Sequence, residues 1–378
     1  MVASLLGALV LAGCSATRPA TQAPVFFPPA PDLPRIQYLT SFTGLKDIER
    51  QSAFNRFVIG EKQDLIVDKP YGVAMADGRI YACDTNSTVA VFDLKAKTFS
   101  YLAGATGQGA LRQPINISIG QDGTRYVTDP VRGQVVAFDR GDQFVRAYGQ
   151  PGDWKPVDAA AFGGRLYVAD FDHGRIVVFD IASGSQVSSF GDKSEGDARL
   201  SRPTNLAFDT SGFLYVTDVA RFQVVKLDRD GKYIAAFGRL GDNLGHFARP
   251  KGVAVDRDGL VYAVDAAFNN VQIFMPGGHL ATFFGGPGQG PGNLDLPAKV
   301  AIDYDDVGLL REYVQPGFHV DYLVLVTSQF GPHRVNVYGF GHQEGAQYPT
   351  EADLLRQIEE RRAKAAAAPA PAPAPAGK

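Results

Sequence analysis

The chain has 378 residues, of which 45% are hydrophobic and 20% are charged, and its formal net charge is -3. This slightly acidic balance, with no block of Lys or Arg, argues against nucleic-acid binding, which depends on many phosphate contacts. The length allows one large domain with tails or two smaller domains. The number of domains therefore has to be inferred from the pattern of residues along the chain.

The N-terminus has the pattern of a lipoprotein signal. Residues 2–13 are apolar or small and end in Leu11-Ala12-Gly13-Cys14, which resembles the lipobox of bacterial lipoproteins, where the cysteine is lipidated after cleavage. The run is too short to span a bilayer as a helix, so we predict a signal peptide over residues 1–13 and lipidation of Cys14. The residue after the cysteine is Ser15 and not aspartate. This resembles the pattern that lets a lipoprotein leave the inner membrane for the outer membrane of a Gram-negative cell, so we predict the outer membrane. The alternatives are an ordinary signal peptide or a buried segment, and the lack of Lys or Arg before the run suggests an upstream translation start.

Residues 14–34 are rich in proline and alanine and show no strand or helix period. This composition predicts a tether rather than an element of the core. At about 3.1 Å per residue in polyproline II, the tether would hold the following domain up to roughly 60 Å from the lipid.

A sequence motif is then repeated six times, and each copy consists of a proline, an apolar run, a tight turn and a second apolar run. The copies are 42 to 47 residues apart, which is the length of one four-stranded propeller blade. The prolines that open them are Pro70, Pro114, Pro156, Pro203, Pro250 and Pro297.

Each copy is predicted to form four strands. Alternating apolar and polar residues on both sides of a turn predict an antiparallel hairpin, and a third and a fourth strand follow at regular offsets. The last copy lacks a fourth strand, whereas residues 36–44 read as one, so we predict that this N-terminal strand closes the ring and protects its edge. The predicted fold is all-β, a six-bladed β-propeller of four-stranded antiparallel blades over residues 35–345.

The second strand of each copy ends in a polar residue just before a tight connection. We predict that these side chains accept hydrogen bonds from backbone N–H groups of the turn, because aspartate commonly does so there. The residues are Asp84, Asp129, Asp170, Asp218 and Asp265, with Ser328 in the last copy.

The proline-to-aspartate core and the loop from Gly238 to Pro250 resemble the NHL-repeat family of six-bladed β-propellers, over roughly residues 35–340. The resemblance implies the fold. It says little about function, because similar propellers include RNA binders, extracellular sensor domains, lyases, lactonases and bacterial scaffold proteins.

The second residue after each opening proline is predicted to lie at the central channel. These residues are Gly72, Asn116, Asp158, Asn205, Gly252 and Lys299. The resemblance implies that enzymatic relatives place metal ligands around this axis, histidines in amidating lyases and carboxylate with asparagine in lactonases.

No histidine occupies the six channel positions of this chain, and its six histidines lack the spacing of a zinc site. We therefore predict no catalytic residue, no metal and no cofactor. A polar ring of Asn116, Asp158, Asn205 and Lys299 is expected to line the channel. The alternative is a divalent cation held by Asp158 and the two asparagines.

The loops between blades and the loops after the recurring aspartates share one rim of the ring, which we call the top face. Trp154 is the only tryptophan, and the longest interblade loop carries Phe54 and Phe57. Because aromatic residues often anchor interfaces, these three residues are the candidate docking face. The alternative is that Trp154 covers the short loop between blades 2 and 3.

Two further features concern the core and the C-terminus. Cys83 on a strand is expected to be a small buried residue rather than a nucleophile. Thr350 and Asp353 resemble a capping box, so we predict a short C-terminal helix followed by a Pro-Ala tail within residues 346–378.

These observations favour a lipid-anchored cell-envelope propeller that acts as a non-enzymatic protein-binding scaffold. It is expected to be a monomeric ring that touches the membrane through its lipid and a protein partner through the top face. The family resemblance hints at an accessory of envelope machinery such as multihaem cytochrome systems, although the chain has no haem-attachment motif. The alternatives are a metal-dependent lactonase or lyase that uses the channel, and a sugar-binding module.

Overall fold

The computed structural model describes residues 23–49, 65–86, 88–350, 352–356 and 359–360. Cys14, Phe54, Phe57 and the Pro-Ala tail lie outside the described residues. Within them, the strands form six antiparallel sheets. The innermost strand of each sheet contacts the innermost strand of the next, and the sixth contacts the first, so the sheets are the blades of a closed ring.

The predicted six-bladed fold is confirmed. From the channel outward, the strands of blade 1 are Pro70–Ala76, Arg79–Asp84, Thr88–Asp93 and Thr98–Tyr101. Those of blade 2 are Asn116–Ile119, Arg125–Asp129, Gln134–Phe138 and Phe144–Tyr148. Those of blade 3 are Pro156–Phe162, Arg165–Asp170, Arg175–Asp180 and Gln186–Phe190. Those of blades 4 and 5 are Pro203–Phe208, Leu214–Asp218, Gln223–Leu227 and Tyr233–Phe237; Pro250–Val255, Val261–Asp265, Asn270–Phe274 and Leu280–Gly285. The inner three strands of blade 6 are Pro297–Asp303, Phe318–Ser328 and Val335–Gln343.

The N-terminal strand closes the ring as predicted. Ile36–Phe42 pairs antiparallel with Val335–Gln343, with Ile36 opposite Phe340 and Phe42 opposite Val335. Blade 6 is therefore built from both ends of the domain. The N-terminal strand covers the third strand of this blade, Val335–Gln343, which would otherwise be an exposed edge of the sheet.

Part of the segment predicted as a tether instead lies against blade 6. Phe26–Phe27 forms a fifth strand beside Ile36–Phe42. The ring of Phe26 packs against Phe318 at 5.3 Å between centroids, and Phe27 packs against Phe284 and Tyr338. Burial of two aromatic rings outweighs the weak local strand propensity of this proline-rich stretch.

Helical segments are short. They are the α-helix Leu45–Ile48 and the 3₁₀ helices Gly107–Gly109, Gly196–Ala198 and Val307–Tyr313. Residues 352–356 and 359–360 are helical. The hydroxyl of Thr350 accepts from the Asp353 N–H at 3.2 Å, and the Asp353 carboxylate accepts from the Thr350 N–H at 3.1 Å, as the predicted capping box requires.

The recurring aspartates stabilise the top of blades 1 to 5, and Ser328 takes their position in blade 6. Pro203 faces Asp218 across the inner hairpin, and Pro250 faces Asp265 in the same way. Asp218 accepts hydrogen bonds from the N–H groups of Ser201 at 2.7 Å and Arg202 at 3.0 Å, and further ones from the turn that follows. The predicted structural role of these carboxylates is confirmed in the geometry.

The hydrophobic core lies between neighbouring blades, where side chains of adjacent sheets interdigitate. Cys83 is fully buried in one of these layers beside Tyr81 and Val127. Burial raises the pKa of the Cys83 thiol well above its usual value, so the thiol is neutral and behaves as a small apolar group.

Candidate binding site at the central channel

The channel carries an ion pair between opposite blades. Lys299 on blade 6 places Nζ 2.5 Å from Oδ2 of Asp158 on blade 3. Asp158 is fully buried and Lys299 is 5% exposed. Since blades 3 and 6 face each other across a six-membered ring, the pair bridges the axis.

Asp158 also accepts hydrogen bonds from the neighbouring blade. Its Oδ2 atom accepts from the Leu206 N–H at 2.9 Å and from Asn205 Nδ2 at 3.3 Å. The carboxylate is therefore satisfied by an ammonium, a backbone N–H and an amide, which is the condition under which a buried charge is tolerated.

The other ring asparagine connects neighbouring inner strands. Asn116 Nδ2 donates to the Val157 carbonyl at 2.9 Å. Gly72 lies close to the oxygen of the same amide, since a Cβ atom added at Gly72 would be 2.8 Å from Asn116 Oδ1. Among the described residues, the buried Oδ1 atoms of Asn116 and Asn205 have no hydrogen-bond partner. The structure thus brings all four predicted ring residues to the channel and leaves two amide oxygens unsatisfied.

Below the ion pair, the channel contains a cavity of about 490 Å³. All six innermost strands line it, mainly through small or apolar residues such as Ala74, Ala160 and Ala254, and Lys299 lies at its inner end. The cavity reaches Asp209 and Thr210 at the opposite, bottom face. The ion pair therefore separates this cavity from the top mouth.

The top mouth holds a second buried lysine, which the sequence analysis did not single out. Lys251 follows the opening proline of blade 5 and is 7% exposed. Its Nζ atom donates to Gln329 Oε1 at 3.1 Å and lies 5.0 Å from the centroid of the Tyr71 ring. Burial, together with the charges of Arg249 and Lys69, lowers the pKa of Lys251 to about 8.

Cations recur around this mouth. The residue before the opening proline is basic in four of the six blades, at Lys69, Lys155, Arg202 and Arg249. Lys155 and Arg202 both lie over the ring of Phe171, at 5.1 and 5.0 Å from its centroid. The sequence signal was present, but these basic residues are 47 or 86 positions apart and do not form a block along the chain.

Trp154 is fixed at the junction of blades 2 and 3. Its Nε1 donates to the carbonyls of Gly133 at 2.9 Å and Gln150 at 3.0 Å, and its ring packs against Phe179. The side chain is partly buried, which matches the alternative that it covers this loop. With Phe54 and Phe57 outside the described residues, the docking face made of all three stays a prediction.

Within the described ranges, no three His, Cys, Asp or Glu side chains are grouped so as to hold a metal ion. Asp158 is the sole carboxylate among the six channel positions named from the sequence, and its charge is matched by Lys299. Any cation at Asp158 would have to displace an ammonium that is already in contact with it.

The sequence matches no protein-family model and no curated protein. Solved structures resemble the fold. A Bacteroides thetaiotaomicron protein of unknown function aligns at a TM-score of 0.56 and 14% identity, over 80% of this chain and 75% of that one. An auxiliary nutrient binding protein from the same organism aligns at a TM-score of 0.54 and 12% identity, over 72% of this chain and 69% of that one. A streptogramin B lyase aligns at a TM-score of 0.51 and 14% identity, over 74% of this chain and 84% of that one. At these identities the likeness establishes the six-bladed β-propeller fold, which this chain shares with binding proteins and with enzymes.

Proposed function

We propose that the chain is a lipid-anchored, non-enzymatic binding protein of the bacterial cell envelope, which binds a protein partner through its top face. The observation that carries this proposal is the distribution of exposed apolar side chains. Of the eleven large hydrophobic residues that are exposed in the described ranges, five lie in top-face loops and five lie singly on the outermost strands of blades 1 to 5. Those in the top-face loops are Ile66, Val131, Leu240, Leu244 and Phe330. Exposed apolar residues together with cations around the mouth are typical of a protein-binding surface.

The channel ion pair supports a binding role over a metal-dependent reaction. A lactonase-like site needs its carboxylate free to bind a cation, whereas Asp158 is held by Lys299 at 2.5 Å. A buried ammonium in contact with a carboxylate supplies the positive charge that a metal would bring.

A metal-dependent lactonase or lyase is the second candidate, and one observation favours it. The buried oxygens of Asn116 and Asn205 have no partner among the described residues, and amide oxygens are common ligands of calcium. Calorimetric titration of calcium into the wild type and Asp158→Asn separates the candidates. Saturable binding to the wild type alone supports this second candidate, and no binding to either supports the first.

Placement in the envelope rests on Cys14, which is outside the described residues. Among the helices that the structure describes, none has the length and apolar character to cross a membrane. Attachment through acyl chains on Cys14 would hold the ring at the membrane, since each buried methylene contributes about 0.8 kcal/mol. An accessory role in an envelope system, such as one of multihaem cytochromes, follows from the NHL resemblance and belongs to this proposal.

Site-specific photo-crosslinking in cells tests the partner. A photoreactive residue is placed at Leu240 in a top loop or, as the matched control, at Ile234 on the outer strand of the same blade, where the exposed fractions are 65% and 43%. Discrete adducts from position 240 but not from 234 would support a top-face partner. Equal adducts from both positions, or none from either, would contradict it.

A further inference from the structure

We propose that the top mouth of the channel is a binding site for a carboxylate ligand, and that the ammonium of Lys251 is its central contact. This inference goes beyond the proposed partner binding and does not depend on it. A small free carboxylate and an acidic side chain of a partner present the same chemistry to this site.

Lys251 is buried without a counter-ion among the described residues. An ammonium carries three N–H donors, and the one hydrogen bond that Lys251 makes in the described structure goes to the neutral amide of Gln329. No carboxylate in the described ranges lies within 4.0 Å of Nζ. A buried charge is normally paired or hydrogen-bonded throughout, so two donors are left for a ligand.

Other charged side chains act on Lys251. Burial lowers the pKa of Lys251, and the positive charges of Arg249 and Lys69 lower it further. Burial raises the pKa of Tyr71, and the charge of Asp158 raises it further, but Lys299 already neutralises that carboxylate. The Asp265 carboxylate, opposite Pro250 in the inner hairpin, accepts from the N–H groups of Ala248 and Arg249 rather than from Lys251. A bound carboxylate would therefore give the Lys251 ammonium a counter-ion that the described residues do not supply.

Further hydrogen-bond donors lie near Lys251 at the mouth. The hydroxyl of Tyr71 makes no hydrogen bond with a described residue, and its ring lies beside Nζ of Lys251. A hydroxyl, an ammonium and the planar fork of Arg249 supply donors of the kinds that hold the two oxygens of a carboxylate. The elongated cavity below is closed off by the ion pair, so the ligand approaches from the top.

A comparison within the protein shows that this arrangement is unusual for it. Lys226 on blade 4 also lies over aromatic rings, those of Phe213 and Tyr215, at 4.4 and 4.9 Å. Unlike Lys251, it has a carboxylate partner, Asp209, at 3.4 Å. Lys226 is therefore the matched control for a lysine in a similar apolar setting whose charge is already balanced.

Competitive acetylation followed by mass spectrometry tests the site on the unmodified protein. The rate of acetylation of Lys251 is measured against pH in buffer, in sodium succinate, in a hexaglutamate peptide and in sodium sulfate, all at equal ionic strength. Bound carboxylate favours the charged ammonium, and a rise of one pKa unit lowers the reaction rate near pH 8 by about fivefold. Lys226 in the same sample should not respond.

The outcomes separate the two sources of the ligand. Protection by succinate and by the peptide indicates a site for small carboxylates, and protection by the peptide alone indicates the acidic segment of a partner. Equal protection by sulfate, or none by any probe, overturns the proposal. A pKa of Lys251 near 10 in buffer would also overturn it, because the protein would then supply its own counter-ion.

Two variants complete the test. Lys251→Gln should abolish the rise in unfolding temperature that succinate gives the wild type, whereas Lys226→Gln should keep it. If Lys251→Gln does not fold, the acetylation experiment on the wild type still decides the question.

Discussion

Lys299 and Asp158 form an ion pair across the channel, with Nζ and Oδ2 2.5 Å apart and the two residues on opposite blades. This contact ties together two strands that share no sheet, and it closes the channel between the top mouth and the cavity below. It also explains why the one acidic position of the ring is tolerated in a buried site.

Removing one partner of this pair should be more costly than removing both. Lys299→Met leaves a buried carboxylate uncompensated and should lower the free energy of unfolding by about 3–5 kcal/mol. Asp158→Asn/Lys299→Met should recover part of that loss, since neither charge is left alone. Urea unfolding of the two single variants and the double variant measures the coupling, and additive losses would mean that the contact contributes nothing specific.

The pattern of agreement between sequence and structure follows from what a sequence can encode locally. The prolines, the aspartates and the missing fourth strand define the blades, because each acts within one hairpin. The ring position of Asp158 and Lys299 followed from the same spacing. Their pairing did not, because it depends on the closed geometry that places blade 3 opposite blade 6.

Other features were missed because they depend on contacts distant in sequence. Phe26 and Phe27 lie in a stretch without periodicity, and what orders them is the surface of blade 6. Lys251 was missed because only the second residue after each proline was assigned to the channel, whereas Lys251 is the first residue after Pro250. Trp154 was not missed, because its hydrogen bonds to the carbonyls of Gly133 and Gln150 agree with the predicted alternative that it covers this loop.

The charge of Lys251 should cost the fold stability at neutral pH. Its pKa is lowered from 10.5 to about 8, so the unfolded chain binds more protons between these values and stability rises with pH across this window. Lys251→Met removes the penalty and should be more stable than the wild type by at most roughly 3 kcal/mol below pH 8. The difference should shrink as the pH approaches 10.5, as urea titrations at several pH values will show. A variant that is less stable at pH 7 would contradict this expectation.

The recurring aspartates should matter more than the serine that replaces them in blade 6. Asp218→Ala leaves the N–H groups that bond to its carboxylate without an acceptor and should cost about 3 kcal/mol. Ser328 accepts from Asp295 N–H at 3.2 Å and from Asn336 Nδ2 at 3.3 Å, so Ser328→Ala should cost about 1 kcal/mol. Denaturant unfolding compares the two variants, and equal losses would refute a special role for the carboxylate.

Gly149 should be required by Trp154. It has a φ of +80°, and a Cβ atom there would overlap Cζ2 of the indole. Gly164 has a φ of +76° with nothing within 4 Å of the added Cβ, so Gly164→Ala shows the backbone strain alone, about 1–2 kcal/mol. Gly149→Ala should cost about 1–3 kcal/mol more. It should also shift the fluorescence of the single tryptophan, which Gly164→Ala should leave unchanged.

Removal of the closing strand should have a different result from removal of the segment before it. A chain that starts at residue 35 loses Phe26 and Phe27, and with them the contacts to Phe318 and Tyr338, which should cost roughly 2–4 kcal/mol while the ring stays closed. A chain that starts at residue 43 also loses Ile36–Phe42 and exposes the whole edge of Val335–Gln343. Because an unpaired edge recruits other strands, this form should self-associate or unfold, and size-exclusion chromatography with light scattering distinguishes the two chains. A stable monomer from residue 43 would show that the inner three strands of blade 6 are sufficient to close the ring.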